Sequence, residues 1–353
     1  MGDLIMTTPA LKALKETFLC HITVLTSTMA QSIAAFIPVI DEVIIHDLPW
    51  IKASAATAGN ELTALVNKLR SYEFDAAVIF TVYSQSALPA AMLAMMAGIP
   101  IRLAYSRENP YDLLTHWLPD KEPYRFVQHQ VKRDLALVAF TGAITNDDRL
   151  LLNVKEQDRK ATNGKLLQAG IDAAKSYIIF HPGVSEEKRK YPIERWIALG
   201  KLAGSTGLPI LLTGTVKEGE LTRAIAAGIG DNALDVAGYF TTGEFIALTD
   251  QAAGIVSVNT ATIHIAAATQ TPVIVLYALT NPQHTPWKVS GRIFPFNVAE
   301  NLQSSNEVIA YVRENRMIQE PALPHPVDVA QALETLLRKQ SNNHYIAPDT
   351  LIL

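Results

Sequence analysis

Three segments of the sequence carry residue types that could bind a phosphate group or accept a proton. In "SVNTATIHIAAA" (257–268), an apolar strand ends at Asn259 and a helix begins near Thr260. The backbone N–H groups at a helix start, with the hydroxyls of Thr260 and Thr262 beside them, suit a diphosphate, and His264 could reach the same anion. Alternatively, both threonines only cap the helix and His264 is a packed core histidine.

The second segment is "HPGVSEEKRKYPIERW" (181–196), in which a strand ends in His-Pro-Gly and a helix starts at Pro192. Lys188, Arg189 and Lys190 lie in the polar loop between them. Three cations next to a helix N-terminus could bind phosphate, although a solvated charged loop would have the same composition. The segment has neither a Walker sequence nor GxGxxG, so it is not a recognisable P-loop or NAD site.

The third segment is the start of the chain, "MGDLIMTTPALKALKE". Thr8 followed by Pro9 is typical of a helix N-terminus, so Gly2 and Asp3 are predicted to lie in the loop that precedes the helix. A carboxylate in such a place is usually a cap. If Asp3 faces a cleft, it could instead accept a proton from a substrate hydroxyl.

Short β-rich runs alternate with helical patterns along almost the whole chain, and continuous apolar runs predict parallel sheets covered by helices. The predicted strands are 22–26, 42–46, 76–80, 101–106, 177–183, 209–214, 234–238, 254–259 and 272–278. The predicted helices are 60–70, 87–100, 127–140, 192–207, 217–230, 241–252, 262–269 and 327–339. The apolar stretch 87–100 is too short to span a bilayer and is expected to be a buried helix that ends at Gly98.

This order of elements predicts an α/β fold with two Rossmann-like, doubly wound domains that face each other across a cleft. Residues 1–155 and 156–325 are the predicted domains, and 326–353 are predicted to form a C-terminal helix and tail. A doubly wound domain begins with a central strand, and here the first strand of the N-terminal domain is missing. Either the true start lies upstream, which we expect, or another segment fills the central position.

Composition excludes several classes of protein. Hydrophobic residues make up 49% and charged residues 18% of the 353 residues, and the net charge is −4, so the chain is globular without support for nucleic-acid binding. Cys20 is the only cysteine, which excludes an internal disulfide and suits a reducing cytoplasm. No signal peptide is apparent. The nine histidines show no metal-binding spacing and GxSxG is missing, so we expect neither a metal site nor a serine hydrolase.

Together these segments resemble the family 9 glycosyltransferases, whose best-known members are the bacterial lipopolysaccharide heptosyltransferases. The resemblance covers most of the chain. The similar segments are "GDLIMTTPALKALKETF", "HQVKRDLALVAFTG" (129–142), "HPGVSEEKRKYPIERWIAL" and "SVNTATIHIAAATQTPVIVLYALTNP". The last of these is the longest and the most specific.

The resemblance implies a GT-B fold, with the acceptor on the N-terminal half, the nucleotide-sugar on the C-terminal half, and a C-terminal helix, here 327–339, that crosses back to the first domain. It also implies an inverting, metal-independent reaction in which Asp3 is the general base. Donor binding is then expected from residues after strands of the C-terminal half, Lys188, Arg189, Lys190, Thr260, Ala261, Thr262 and His264. Glu218 resembles a family acid near the nucleotide ribose. No cofactor is implied besides the nucleotide-sugar donor, which we expect to be ADP-linked.

The sequence departs from the family pattern at the expected donor site. Asn259, at a position that contacts the transferred sugar, replaces the family aspartate, and an amide can hydrogen-bond hydroxyls but carries no charge. Ala261 and Ala278 replace family glycines, and Arg189-Lys190-Tyr191 replaces the segment that contains the family lysine and tryptophan. These changes suggest a shifted donor preference or a weakened enzyme.

The sequence therefore predicts an enzyme that moves a sugar, with heptose as the candidate, to a lipopolysaccharide-core or surface-glycan acceptor. The acceptor would be lipid-linked or an oligosaccharide at the inner face of the cytoplasmic membrane, so the protein is expected to be cytoplasmic with peripheral membrane contact. Basic residues of the first half could contact an anionic acceptor, namely Arg102, Arg107, Lys132 and Arg133. Two alternatives stay open: a non-catalytic nucleotide- or sugar-binding relative, and a GT-B sugar-nucleotide epimerase.

Overall fold

The structure is a computed structural model that describes residues 1–51, 59–172, 175–317, 321–338 and 346. The chain divides into two compact units. The first contains Met1, Asp3–Asp148 and Asn306–Val312, and the second contains Gly2, Arg149–Ser305 and Arg313–Leu353. The domain limits drawn from the sequence, 1–155 and 156–325, stay a prediction. Most of the predicted tail, 339–345 and 347–353, lies outside the described residues.

The first unit is built on short parallel strands with helices between them. Its elements are α1 (Gly2–Phe18), β1 (Thr23–Thr26), α2 (Gln31–Ala34), β2 (Glu42–Ile45), α3 (Gly59–Ser71), β3 (Ala76–Ile79), α4 (Leu88–Met96), β4 (Ile101–Ser106), β5 (His116–Pro119) and α5 (Gln130–Ala139). The strands form two separate sheets, β1-β2 and β3-β4-β5. Among the described residues, no strand joins β1 to β3, so none of the described segments fills the central position.

Helix α1 begins earlier than the sequence indicates. It runs from Gly2 to Phe18 with Pro9 inside it, so the expected loop at Gly2 and Asp3 and the expected cap at Thr8 are wrong. Pro9 lacks the N–H that would bond to the Ile5 carbonyl, and the Thr8 hydroxyl donates to that carbonyl instead (2.7 Å). This substitute hydrogen bond explains how the helix continues through a proline. Asp3 therefore lies in the first turn of a helix.

Helix α4 corresponds to the apolar stretch 87–100. Ala91, Leu93 and Ala94 are buried, whereas Met92 and Met96 are about half exposed. The expectation of a buried helix is therefore wrong for one of its faces, because only the opposite face packs on the core. No helix in the described part of the chain is both long and apolar enough to cross a membrane.

The second unit contains a single parallel sheet of six strands in the order β11-β10-β9-β6-β7-β8. Its elements are α6 (Glu156–Gln168), β6 (Ile178–His181), α7 (Ile193–Ala203), β7 (Ile210–Leu212), α8 (Gly219–Ile229), β8 (Ala233–Asp235), α9 (Thr242–Gln251), β9 (Gly254–Val258), α10 (Ala261–Ala268), β10 (Val273–Ala278) and β11 (Gly291–Phe296). Phe180 of β6 lies opposite Leu212 on one side and Val256 on the other. The order of the strands reverses between β6 and β9, which makes this pair the switch point of the sheet.

The described C-terminal part of the chain contains two more α-helices, α11 (Glu307–Asn315), which has residues in both units, and α12 (Pro326–Arg338). Helix α12 is the one that we expected to cross back to the first domain. It packs in the second unit instead, because Val329 and Leu333 are buried in the same apolar cluster as Trp196 and Leu199 of α7. Burial of this apolar face fixes the helix on the sheet of the second unit.

Candidate functional site

The carboxyl ends of β6, β7 and β9 bring several of the expected residues to one edge of the second unit's sheet. Ligands of open α/β sheets bind at this edge, beside the switch point and next to helix N-termini. The segment 182–192 follows β6, the segment 213–218 follows β7, and Asn259 connects β9 to α10. Sheet topology alone therefore places these three segments next to one another.

The start of α10 lacks a side-chain cap. Thr260 is the N-cap residue with an extended backbone, but its side chain makes no capping hydrogen bond. Among the described residues, no group hydrogen-bonds the buried Thr260 Oγ1. Thr262 is buried inside the first turn, and His264, two residues further along the helix, is also buried. Thr260 therefore does not act as a simple side-chain cap, which was one of the alternatives left open by the sequence.

The Asn259 side chain clamps the end of β10. Its Nδ2 donates to the Ala278 carbonyl and to Thr280 Oγ1 (both 3.2 Å), and its Oδ1 accepts from the Ala278 N–H (3.2 Å). The amide thus uses both of its N–H bonds and one acceptor position on the protein itself. An aspartate could not donate to the Ala278 carbonyl, which explains an asparagine at this position.

One of the three expected cations reaches the start of α10. Arg189 Nη1 donates to the Asn259 carbonyl (3.0 Å), in the turn that leads into the helix. Lys188 pairs with Glu186 (2.9 Å). Lys190 is more than half exposed and pairs with Glu187 (2.6 Å), so the solvated-loop interpretation describes this residue. Arg189 is thus the cation whose position at this edge is fixed by a contact with the turn.

Glu218 stabilises the turn after β7. Its Oε2 accepts from the Thr215 N–H (2.6 Å) and from Thr215 Oγ1 (2.9 Å), in a reciprocal capping box. The carboxylate also lies over Gly183, where an added Cβ would come within 2.2 Å of Glu218 Oε1. A glycine at this position is therefore needed for Glu218 to approach the segment after β6.

His181 is a polar residue of this edge that was not among the residues predicted from the sequence. It ends β6, its Nδ1 lies 3.0 Å from Thr213 Oγ1, and its ring contacts Phe245. Desolvation lowers the pKa of His181 to about 4, against the opposing charge of Glu218, so the ring is neutral at pH 7. Its place at the carboxyl end of a predicted strand was the available sequence signal.

Asp3 is the candidate of the first unit, and its side chain is exposed in the first turn of α1. The Thr7 hydroxyl lies 3.0 Å from the Asp3 carbonyl, one turn along the helix. The N–H groups at the helix start stabilise a carboxylate there. An exposed carboxylate on a well-anchored helix can accept a proton from a ligand hydroxyl.

Two basic residues that we expected at an acceptor are structural. The Arg133 side chain is 1% exposed and pairs with Asp120 (2.8 Å) and Glu122. The Arg102 guanidinium donates to backbone carbonyls, including those of Ile99 (2.6 Å) and Leu113 (2.8 Å). The sequence could not show this, because the contacts of both residues depend on the folded backbone. Arg107 and Lys132 remain at least partly accessible.

Comparison with known families agrees with this arrangement of fold and residues. The model of glycosyltransferase family 9 (heptosyltransferase) matches residues 62–312, which is more than half of the chain. The chain is thus a glycosyltransferase with the GT-B fold. It belongs to glycosyltransferase family 9.

Individual relatives support the same assignment. Lipooligosaccharide heptosyltransferase 2 of Haemophilus influenzae is 24% identical over 298 residues, covering 81% of this chain and 83% of the relative. A family 9 glycosyl transferase of Veillonella parvula has a similar structure, with a TM-score of 0.76, 18% identity, and coverage of 96% of this chain and 94% of the other. The structure of E. coli ADP-heptose lps heptosyltransferase II gives a TM-score of 0.72 at 20% identity, covering 97% of each chain. The chain is thus heptosyltransferase-like.

Proposed function

We propose that this protein is an inverting, metal-independent glycosyltransferase that moves a sugar, with heptose as the candidate, from an ADP-linked donor to a lipopolysaccharide-core or surface-glycan acceptor. The observation that carries the proposal is the start of α10, where Thr260 Oγ1 is buried without a partner in the described structure and Arg189 binds the preceding turn. The E. coli relative is described as an ADP-heptose enzyme, which supports the choice of nucleotide. The acceptor would be a lipid-linked or oligosaccharide sugar at the inner face of the cytoplasmic membrane.

The donor diphosphate would bind at this helix start. Backbone N–H groups of Ala261 and Thr262, the Thr260 hydroxyl and the Arg189 guanidinium would stabilise the negative charge that grows on the leaving diphosphate. Lys188, Lys190 and His264 remain candidates for additional donor contacts. Asn259 would act through the clamp on β10, which holds the turn in place for the donor. Because this charge stabilisation comes from protein groups, the proposal needs no metal ion.

Asp3 would be the general base. It would take the proton of an acceptor hydroxyl while that oxygen forms a bond to the anomeric carbon and the bond from this carbon to the diphosphate breaks. Attack from the side opposite the leaving group inverts the anomeric configuration. The carboxylate would receive the proton, and the nucleoside diphosphate would leave with the bonding electrons.

Glu218 would contact the nucleotide ribose. Its carboxylate is already fixed over Gly183 by the capping box with Thr215. Neutral His181 lies near this carboxylate and would line the same part of the sheet edge. A carboxylate that is held in one position can accept hydrogen bonds from ribose hydroxyls with little loss of side-chain entropy.

The first experiment is calorimetric titration of the full chain with ADP, UDP, GDP and dTDP, and then with ADP-heptose. Selective binding of ADP, lost in Thr260→Ala combined with His264→Ala, is the expected result. Failure of a folded sample to bind any nucleotide would overturn the proposal.

A transfer assay completes the test. ADP-heptose is incubated with a heptose-deficient lipopolysaccharide core, with and without EDTA, and the anomeric configuration of the product is read by NMR. The proposal expects inverted product that forms equally well with EDTA. Product that forms from the donor alone would identify an epimerase, and donor binding without any turnover would identify a non-catalytic relative.

A further inference from the structure

A buried carboxyl group, that of Asp134, lies directly behind the first turns of α1. Asp134 is on helix α5 and is 2% exposed. Its Oδ1 accepts from Gln130 Nε2 (2.8 Å), and its Oδ2 lies 2.8 Å from Thr7 Oγ1. Gln130 Nε2 also faces the Thr81 carbonyl (3.3 Å), which can only accept, so the amide nitrogen must point this way. Oδ1 of Asp134 is therefore an acceptor.

The hydrogen count at Thr7 favours a protonated Asp134. The Thr7 hydroxyl has one hydrogen but lies within hydrogen-bond distance of two oxygens, Asp134 Oδ2 (2.8 Å) and the Asp3 carbonyl (3.0 Å). If Asp134 were ionised, its Oδ2 and the Asp3 carbonyl oxygen could both only accept. The single Thr7 hydrogen could then serve only one of these two short contacts. If Oδ2 carries a proton, Asp134 donates to Thr7 and Thr7 donates to the Asp3 carbonyl. Each contact in this series of hydrogen bonds then has one hydrogen.

We propose that Asp134 is a positioning residue: as a neutral carboxylic acid it fixes, through Thr7, the first turn of α1 and with it Asp3. The proposal rests on the role of Asp3 in the proposed function. Asp134 would act through Thr7 without touching the substrate. Its effect would be to hold the Asp3 backbone in the geometry in which the carboxylate meets an acceptor hydroxyl.

The charges around this carboxyl agree with a neutral acid. Arg133, a cation on the same helix, is already paired with Asp120 and Glu122. These two carboxylates offset its positive charge and so weaken its effect on Asp134. The carboxylate of Asp3 on α1 disfavours a second negative charge nearby, and the phenol of Tyr105 on β4 is a further ionisable neighbour. Burial, only partly opposed by these hydrogen bonds and Arg133, raises the pKa of the buried carboxyl to about 7.

The proposal has a consequence for pH dependence. When the pH rises above about 7, the proton leaves Asp134, and the Thr7 hydroxyl turns to the carboxylate and releases the Asp3 carbonyl. The first turn of α1 then loses a restraint. We expect kcat to fall on this alkaline side while the KM for the donor stays unchanged.

The test compares three variants of the full chain. Asp134→Asn imitates the neutral acid, because its Nδ2 can donate to Thr7 while its Oδ1 accepts from Gln130. It should match the wild-type kcat at a pH below the pKa of Asp134 and lose the alkaline fall. Thr7→Val should lower kcat about tenfold without changing the donor KM, since one hydrogen bond is lost, and Thr7→Ser should restore it. An Asp134→Asn variant as inactive as Thr7→Val would show that the carboxylate is required and would overturn the proposal.

A second measurement is independent of activity. The folded-state pKa of Asp134 lies above the ordinary value of 3.8, so between about pH 4 and pH 7 the folded state binds more protons than the unfolded state. The stability of the wild-type protein should therefore fall relative to Asp134→Asn as the pH rises through this window, and the difference should be constant above it. A difference in urea midpoint that does not change with pH would overturn the neutral acid. If this linkage is found but Asp3→Asn keeps full turnover, the assignment of Asp3 fails while the protonation of Asp134 stands.

Discussion

Helices α1 and α10 start in different ways, although both carry candidate residues of the same reaction. The early turns of α1 are held by side chains of their own unit, because Thr8 donates to the Ile5 carbonyl and Thr7 lies within hydrogen-bond distance of Asp134. The start of α10 has no side-chain cap, and the Thr260 hydroxyl has no partner among the described residues.

The difference follows from what each helix start is expected to do. A general base works only if it is held in a fixed position, so the hydrogen bonds behind Asp3 are made within the protein. A site for a diphosphate must leave its N–H and O–H groups without protein acceptors, so that the ligand can take them. A helix start whose donors are already used would compete with the ligand for them.

Replacing Asp3, the proposed general base, should have the largest effect. Asp3→Asn removes the proton acceptor and keeps the shape, so kcat should fall roughly 100- to 10,000-fold while the Kd for ADP stays unchanged. Transfer assays and calorimetry measure the two quantities. The matched control is Asp75→Asn, which neutralises an exposed aspartate of the same unit and should leave kcat intact. Retained turnover in Asp3→Asn would show that α1 does not hold the general base.

Breaking the hydrogen bonds of Asn259 behind the α10 turn should have the second-largest effect. Asn259→Asp removes the N–H bonds to the Ala278 carbonyl and to Thr280 and places a buried carboxylate against that carbonyl. The free energy of unfolding should fall by about 1–3 kcal/mol. Urea denaturation measures it, with Asn297→Asp at an exposed position as the control. Unchanged stability would mean that the amide does not hold the turn.

Removing the Thr260 hydroxyl should have a smaller effect. Whether ADP binding or stability changes distinguishes a ligand-binding role from a structural one. Thr260→Val keeps the shape of the side chain, and the Kd for ADP should rise about tenfold because one hydrogen bond to the diphosphate is lost. Stability should not fall, since the hydroxyl has no partner in the described structure to lose. Thr260→Ser should bind ADP normally. A less stable Thr260→Val protein with normal ADP binding would instead show that Thr260 is a structural cap.

The smallest effect is expected at Gly183. In Gly183→Ala the new Cβ would lie 2.2 Å from the present position of Glu218 Oε1, so the carboxylate must move and the capping box with Thr215 is disturbed. The cost should be about 1 kcal/mol of unfolding free energy. A double-mutant cycle checks the cause, because the substitution should cost nothing more in Glu218→Ala. Equal costs in both backgrounds would point to a different neighbour.

Local signals made much of the second unit predictable. The spacing of Thr241 and Glu244 predicts a capping box, and the structure confirms it at the start of α9. The continuous apolar runs also predict the buried strands β6, β9 and β10. Strands β5 and β11 were missed, and each is an edge strand that contains a proline, Pro119 or Pro295. Edge strands need fewer apolar residues and tolerate proline, so their sequence pattern is weak.

Interactions that depend on the folded backbone were not predictable from one sequence. The pair Thr8-Pro9 is typical of a helix start, and nothing local shows that the Thr8 hydroxyl replaces the missing N–H of Pro9. From the sequence, Arg133 cannot be distinguished from an exposed cation, although it is buried and pairs with Asp120 and Glu122. The Asn259 clamp likewise depends on backbone groups of the next strand, which only the folded sheet brings near.

The separation of β1-β2 from β3-β4-β5 has a consequence for local unfolding. Two- and three-stranded sheets bury little backbone compared with the six-stranded sheet of the second unit. The inner edges of β1 and β3 have no strand partner among the described residues, so their amide hydrogens should exchange with solvent by small, local openings. Strands of another chain can pair with the same edges, so aggregation can begin in this part of the protein.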